Sequence, residues 1–213
     1  GEVMLGDVEP QESVVIRGLR GNKAAQKDPL FTYFARLMEW ADKYKTLGVR
    51  TNADTPEDSE LAIALGAQGI GLTRTEHMFF DEERILSFRK MILSSSSDER
   101  REIAIKELLP HQRKDFKGIL KAMDGKPVII RLLDPPLHEF LPREKEAVAE
   151  VAAATGRKPK EIVELTEALH ESNPMLGHRG CRLGVTFPEI YEMQVRAIFE
   201  AACELKKKGF NPI

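Results

Sequence analysis

A chain of 213 residues, 42% of them hydrophobic and 31% charged, has material for one large domain or one and a half. Its 32 basic and 34 acidic residues leave a formal charge of −2, so no global excess points to nucleic acid or an anionic membrane, and any anion site has to be local. Two cysteines, no run approaching the about 20 apolar residues of a membrane span and no signal-peptide pattern together argue against a disulfide framework, a spanning helix and secretion, so a soluble cytoplasmic protein is expected.

Glu2 to Leu5 reads as a strand end, and the polar run from Glu9 to Ser13 as a linker. Phe31, Phe34, Met38 and Ala41 recur at helical spacing, which predicts a helix over 30–44 with one buried face and Trp40 packed. Gly48 to Ala53 reads as a short strand. Thr55 then caps a helix with Pro56 first inside it and Gly66 at its end, and Gln68 to Thr73 is a second strand. Residues 49–73 are therefore a strand-helix-strand unit of a parallel sheet.

A helix over 81–93, a serine linker over 94–97 and a capping-box pattern at Ser96 to Glu99 follow. Pro110 is expected to break or kink the second helix before Phe116, Ile119, Leu120 and Met123 resume its stripe. Residues 127–133 are continuously apolar, as in a strand covered on both faces, with Arg131 as the anomaly. Helices over 147–154 and 159–169 meet around Gly156, and Asn173 to Gly180 has the composition of a site loop, with a candidate fourth strand near 175. The last helix, 188–208, turns Ile190, Met193, Ala197, Ala201 and Leu205 to one face. The order describes α/β architecture, a partial (β/α)8 TIM barrel of three to four strands behind an N-terminal helical linker.

Arg74, Arg131 and Arg179 each stand at a strand's carboxyl end or in the loop after it. In a parallel barrel those ends share one rim, so three guanidiniums could converge on a phosphate or carboxylate, for which their fork is suited. Taken singly, each arginine is as readily a structural ion pair with Asp54, Glu76, Asp134 or Glu139. His77, His138 and His178 are expected to position arginines or bond backbone, and His111 and His170 to lie at the surface. Cys181 is expected to be a buried thiol, and no carboxylate pair is placed to hold magnesium.

Four segments carry a resemblance: Val49 to Asp58 (VRTNADTPED), Gly69 to Phe80 (GIGLTRTEHMFF), Ile130 to Pro142 (IRLLDPPLHEFLP) and Asn173 to Gly184 (NPMLGHRGCRLG). Together they resemble the pyruvate phosphate dikinase family, within the wider group of enzymes that use phosphoenolpyruvate. The resemblance implies that residues 1–9 are the tail of a swivelling phosphohistidine domain, 10–46 a helical linker, and 47–213 the N-terminal half of a barrel that binds phosphoenolpyruvate and pyruvate. It further implies a parent enzyme that converts ATP, phosphate and pyruvate to AMP, pyrophosphate and phosphoenolpyruvate. Arg74 and Arg131 would grip the phosphoryl group and polarise the enolate, with Asn173 and Arg179 completing the pocket.

The Mg2+ ligands and the proton-donating cysteine of that family come from later strands, so no metal ligand is expected in this chain. Cys181 does not match the donor, and none of His77, His138 or His178 matches the phosphocarrier. The isolated chain is accordingly expected to have no turnover. Its implied partners are phosphoenolpyruvate or pyruvate, the phosphohistidine domain and, for the parent, a second copy, with no nucleic acid or membrane. The compartment is the cytoplasm, with an organelle open to the parent. The alternative is a non-catalytic phosphoenolpyruvate-binding or regulatory module.

Overall fold

A computed structural model of the chain describes residues 5, 6 and 11–213, without the side chains of Glu82 and Glu83. The expected strand end at Glu2 to Leu5, and with it the tail assigned to 1–9, therefore falls outside the described residues except at Leu5 and Gly6. Three helices come first: α1 (Val14–Leu19), α2 (Lys23–Gln26) and α3 (Pro29–Tyr44). Ser13, Asn22 and Asp28 cap them by accepting first-turn N–H groups. The buried face expected on α3 does not form. None of its residues is buried, and Trp40, 55% exposed, is not packed as expected but lies under the Arg36 guanidinium at 6.0 Å. The cause is size, because α3 leans on α1 and α2, of six and four residues, which cannot cover four turns.

Among the described residues the sheet has three parallel strands, β1 (Arg50–Asn52), β2 (Gly69–Arg74) and β3 (Val128–Arg131), in the order β1-β2-β3. Between β1 and β2 runs α4 (Pro56–Ala64), started by Thr55, whose hydroxyl accepts the Asp58 N–H at 3.1 Å. A 3₁₀ turn at Thr75–Phe79 leads from β2 into α5 (Glu82–Leu93). There Phe79 stacks on Phe88 at 4.3 Å, and Phe140 meets Phe88 edge-on at 4.7 Å, seating the turn on the core.

The next helical run is continuous: α6 (Ser97–Ile103), a π-helical turn (Ala104–Leu108) and α7 (Leu109–Ala122). Ser96 caps it through the Glu99 N–H, while the Glu99 carboxylate takes the N–H of Ser95, so the expected box closes one residue early. The run is widened rather than broken: Leu109 donates to Ala104, five residues back, and Pro110 sits in the first turn of α7. Beyond β3 come α8 (Lys145–Thr155), α9 (Pro159–Ala168), α10 (Cys181–Thr186) and α11 (Pro188–Lys207). The short α10 has no counterpart in the sequence reading. The stripe Ile190, Met193, Ala197, Ala201 and Leu205 on α11 is buried, and α7 lies against α11 with Phe116, Ile119, Leu120 and Met123 buried. Arg113 with Glu200 at 2.9 Å and Lys117 with Glu204 at 2.5 Å border that seam.

Two further expectations are corrected. No strand forms near 175; residues 169–180 make turns, and Asn211–Ile213 lie beside β3 instead, where Ile213 accepts the Val128 N–H at 2.9 Å and Asn211 that of Gly125 at 3.0 Å. The pairing advances in one direction along both segments, as parallel pairing does, after the crossover through α11. Nor is β3 covered on both faces, since Ile129 is 50% exposed.

Candidate functional site

The carboxyl ends of the strands are stitched together before any charge is considered. Thr73 donates its hydroxyl to the Ala53 carbonyl and Thr75 to that of Arg131, each at 2.9 Å. Arg74 and Arg131 are register partners across β2 and β3, so the two arginines leave neighbouring backbone positions at one level of the sheet. Asp54, just past β1, accepts the Arg74 N–H at 2.7 Å, lies 3.8 Å from its guanidinium and takes His77 Nδ1 at 2.8 Å on its other oxygen.

Arg131 is held from two sides. Its Nη2 pairs with Glu76, which is buried in the 3₁₀ turn, and its Nη1 lies 3.3 Å from Asp134. Asp134 also takes Arg179, through Nη2 on one oxygen and Nε on the other at 3.3 Å. One carboxylate thus joins the end of β3 to the glycine-rich loop. The structural ion pairs anticipated with Asp54, Glu76 and Asp134 are all present, and they fix the guanidiniums in place while lowering their mutual repulsion. Within the pair, Arg131 Nε and Glu76 Oε2 are buried without a hydrogen-bond partner, an unmet donor beside an unmet acceptor.

The loop carrying Arg179 is shaped by Glu171, which accepts the His178 N–H at 2.6 Å. A side chain at Gly177 would begin 1.1 Å from a Glu171 carboxylate oxygen and would push that carboxylate aside, and Gly180, at φ +55, turns the chain into α10. Asn173 uses its side-chain oxygen within its own loop, accepting the Met175 N–H at 3.1 Å in an Asx turn. Cys181 is exposed rather than buried, because it opens a helix of six residues whose buried member is Leu183. His178 meets Thr186 Oγ1 at 2.6 Å, and His138 is buried with its Nδ1 unpartnered, 5.3 Å from the exposed His170 ring; His111 is half-buried.

Two positioning residues had not been singled out in the sequence. The Tyr191 hydroxyl faces the carbonyls of Leu133 at 2.8 Å and Gly180 at 3.1 Å, tying the two arginine-bearing loops together. Burial first, then Asp134 and Cys181, push its pKa up to about 12, so it remains a donor at any physiological pH. Gln194 is fully buried, accepts the Leu133 N–H at 2.8 Å and donates to Gln112 at 3.1 Å. The available signal was a glutamine four residues after Ile190 on an otherwise apolar face.

Such a rim can bind an oxyanion by charge-assisted hydrogen bonds and oppose negative charge that develops on it. It does not fit a divalent cation. Among the described residues no group of three or more histidine, cysteine, aspartate or glutamate side chains is placed to hold one, and Asp54, Glu76 and Asp134 are committed to arginines. Nor is any described helix long and apolar enough to cross a membrane.

Residues 30–210 match the family described as PEP-utilising enzyme, PEP-binding domain. The chain is 51% identical over 208 residues to pyruvate, phosphate dikinase of Clostridium symbiosum, covering 98% of itself and 22% of that protein. To the Giardia intestinalis enzyme it is 58% identical over 173 residues, 81% of this chain and 20% of that one. To pyruvate, phosphate dikinase 1, chloroplastic, of Arabidopsis thaliana it is 52% identical over 195 residues, 91% of this chain and 20% of that one. The chain thus spans about a fifth of the length of these curated relatives.

Proposed function

From the premise that the chain belongs to the PEP-binding domain family of PEP-utilising enzymes, we propose that its rim binds the phosphoryl and carboxylate groups of phosphoenolpyruvate for a pyruvate phosphate dikinase. The observation that carries this reading is the sharing of Asp134 by Arg131 and Arg179, next to Arg74 at the register position beside Arg131. Arg74 and Arg131 grip the phosphoryl group and face the oxygen that becomes enolate. Arg179 holds the far side, and Asn173 joins once its loop closes on ligand. Positive charge fixed before the reaction stabilises the charge that grows during it, with no reorganisation at that moment.

The wider reading follows the same premise. The three strands are the first of an eight-stranded barrel of which 47–213 is the N-terminal half, behind a helical linker at 10–46 and the tail of a phosphohistidine domain at 1–9. The parent converts ATP, phosphate and pyruvate to AMP, pyrophosphate and phosphoenolpyruvate, takes its Mg2+ ligands from residues beyond this chain and works as a homodimer, in the cytoplasm or in an organelle as one relative's name has it. The 213 residues by themselves bind without turnover.

Calorimetric titration of the chain with phosphoenolpyruvate tests this. Saturable binding weakened at least tenfold in the Arg74→Ala/Arg131→Ala variant is expected, about the loss of one charge-assisted contact or more. Equal binding by a folded variant would refute the rim as the site. Turnover of pyruvate by the chain alone would refute its inactivity.

A further inference from the structure

A second concave site lies away from the rim, where α5 ends, α6 begins and α8 ends. It is a cavity of about 360 Å³ whose polar lining includes Lys90, Ser94, Ser95, Glu99, Thr155 and Arg157. None of these residues belongs to the arginine rim, and Ser94 and Ser95, which the sequence offered only as part of a linker, form one wall.

Arg157 is the informative group. Arg84, Arg100 and Arg113 each have an acidic partner, at 2.6, 3.4 and 2.9 Å. Arg157 is half-buried, and its described bonds are to neutral oxygens: Nη2 donates to the Leu93 carbonyl at 2.9 Å and to Ser95 Oγ at 3.1 Å. Those bonds fix the guanidinium plane and leave Nε and Nη1 without a partner among the described residues. A cation held in place, partly desolvated and not neutralised is suited to an anion supplied from solution.

The other walls narrow the class of that anion. Ser95 can donate its hydroxyl proton while accepting from Arg157, and Lys90 sits at the edge with both oxygens of Glu107 within 2.9 Å, its charge already met. Glu99 spends one oxygen on the Ser95 N–H at 2.9 Å, leaving the other as an acceptor. Beside a phosphate that carboxylate would be repulsive, but it suits a hydroxyl carried a few atoms away. The volume reaches the lower end of small-molecule sites, more than a bare phosphate needs. We infer that this pocket binds a small phosphate monoester with a hydroxylated carbon skeleton, the phosphate on Arg157 and Ser95 and a hydroxyl on Glu99.

The test is a titration of the 213-residue chain followed by two-dimensional NMR at the Arg157 Nε–H and the Ser95 and Ser96 amides. The probes are glucose 6-phosphate, inorganic phosphate and glucose. Saturable shifts with glucose 6-phosphate are expected, at least fivefold weaker in Arg157→Gln and unchanged in Arg74→Ala/Arg131→Ala, so the outcome does not depend on the rim. Because Arg157 also ties down Leu93, a second variant, Glu99→Gln, should weaken the ester about threefold and leave inorganic phosphate as it was or tighter. The assignment is overturned if chloride reproduces the shifts, if they are lost in the rim variant instead, or if inorganic phosphate or glucose binds as tightly as the ester.

Discussion

Helices α3 and α11 look alike on paper and differ completely in place. Both run four turns or more, both begin with proline in the first turn and both repeat apolar residues at helical spacing. In α11 that stripe is buried against α7, whereas in α3 Phe31, Phe34 and Met38 are only half-buried, Ala41 is exposed, and Leu30, Tyr33, Leu37, Trp40 and Tyr44 stand more than half exposed. Periodicity says that a helix has a face to cover. It does not say that anything covers it.

The largest expected contrast is in stability. Met193→Ala removes a side chain 2% exposed and should cost about 2–5 kcal/mol, while Leu37→Ala, 61% exposed, should cost under about 0.5 kcal/mol, both read from urea unfolding. A cost for Leu37→Ala near that of Met193→Ala would show that α3 is covered in solution. A smaller effect belongs to the polar residue within the covered face. Gln194→Leu leaves the buried Leu133 N–H unpaired, so about 1–3 kcal/mol should be lost, together with phosphoenolpyruvate affinity, since Leu133 adjoins Asp134.

The smallest effect is in pH. Glu189, buried at the start of α11, is pushed up by burial, but Ser97 and Arg100 outweigh this and hold it below the usual carboxylate range. A depressed folded pKa stabilises fully above the unfolded value near 4.5, and that stability is lost as pH falls through the folded one. Unfolding midpoints should drop over this acid window in the wild type and less steeply in Glu189→Gln. No counterpart exists in α3, whose Arg36–Glu39 pair is exposed on both sides and adds little.

Local signals account for what the sequence disclosed. Thr55, Pro56 and Ser96 mark helix starts by their own side chains, so α4 and α6 could be read residue by residue. The arginines and the acids able to pair with them were visible as well, Arg74 and Arg131 because each ends a strand signal and Arg179 because its loop is rich in glycine. What was illegible depends on partners distant in sequence. Tyr191 and Gln194 act on Leu133, 58 and 61 residues away, and nothing near either residue announces that contact. The strand position beside β3 was sought near 175, where composition was suggestive, and is occupied by Asn211–Ile213, whose proline and short length give no strand pattern. Asn173 was read by motif alone, and the bond that closes its own turn is a matter of loop conformation.

The π-helical turn at Ala104–Leu108 sets the rotational phase of everything after it. Ile103 and Leu108 are five residues apart and both buried, as are Ala104 and Leu109, an interval that in an ordinary α-helix would put them well round the cylinder from each other. Removing one residue from this turn would leave the helix continuous but rotate its second half by about 100°. Phe116 would then point to solvent, and Arg113 and Lys117 would lose the acids of α11. The joint works like a keyed coupling on a shaft: both halves could turn true and still not mesh.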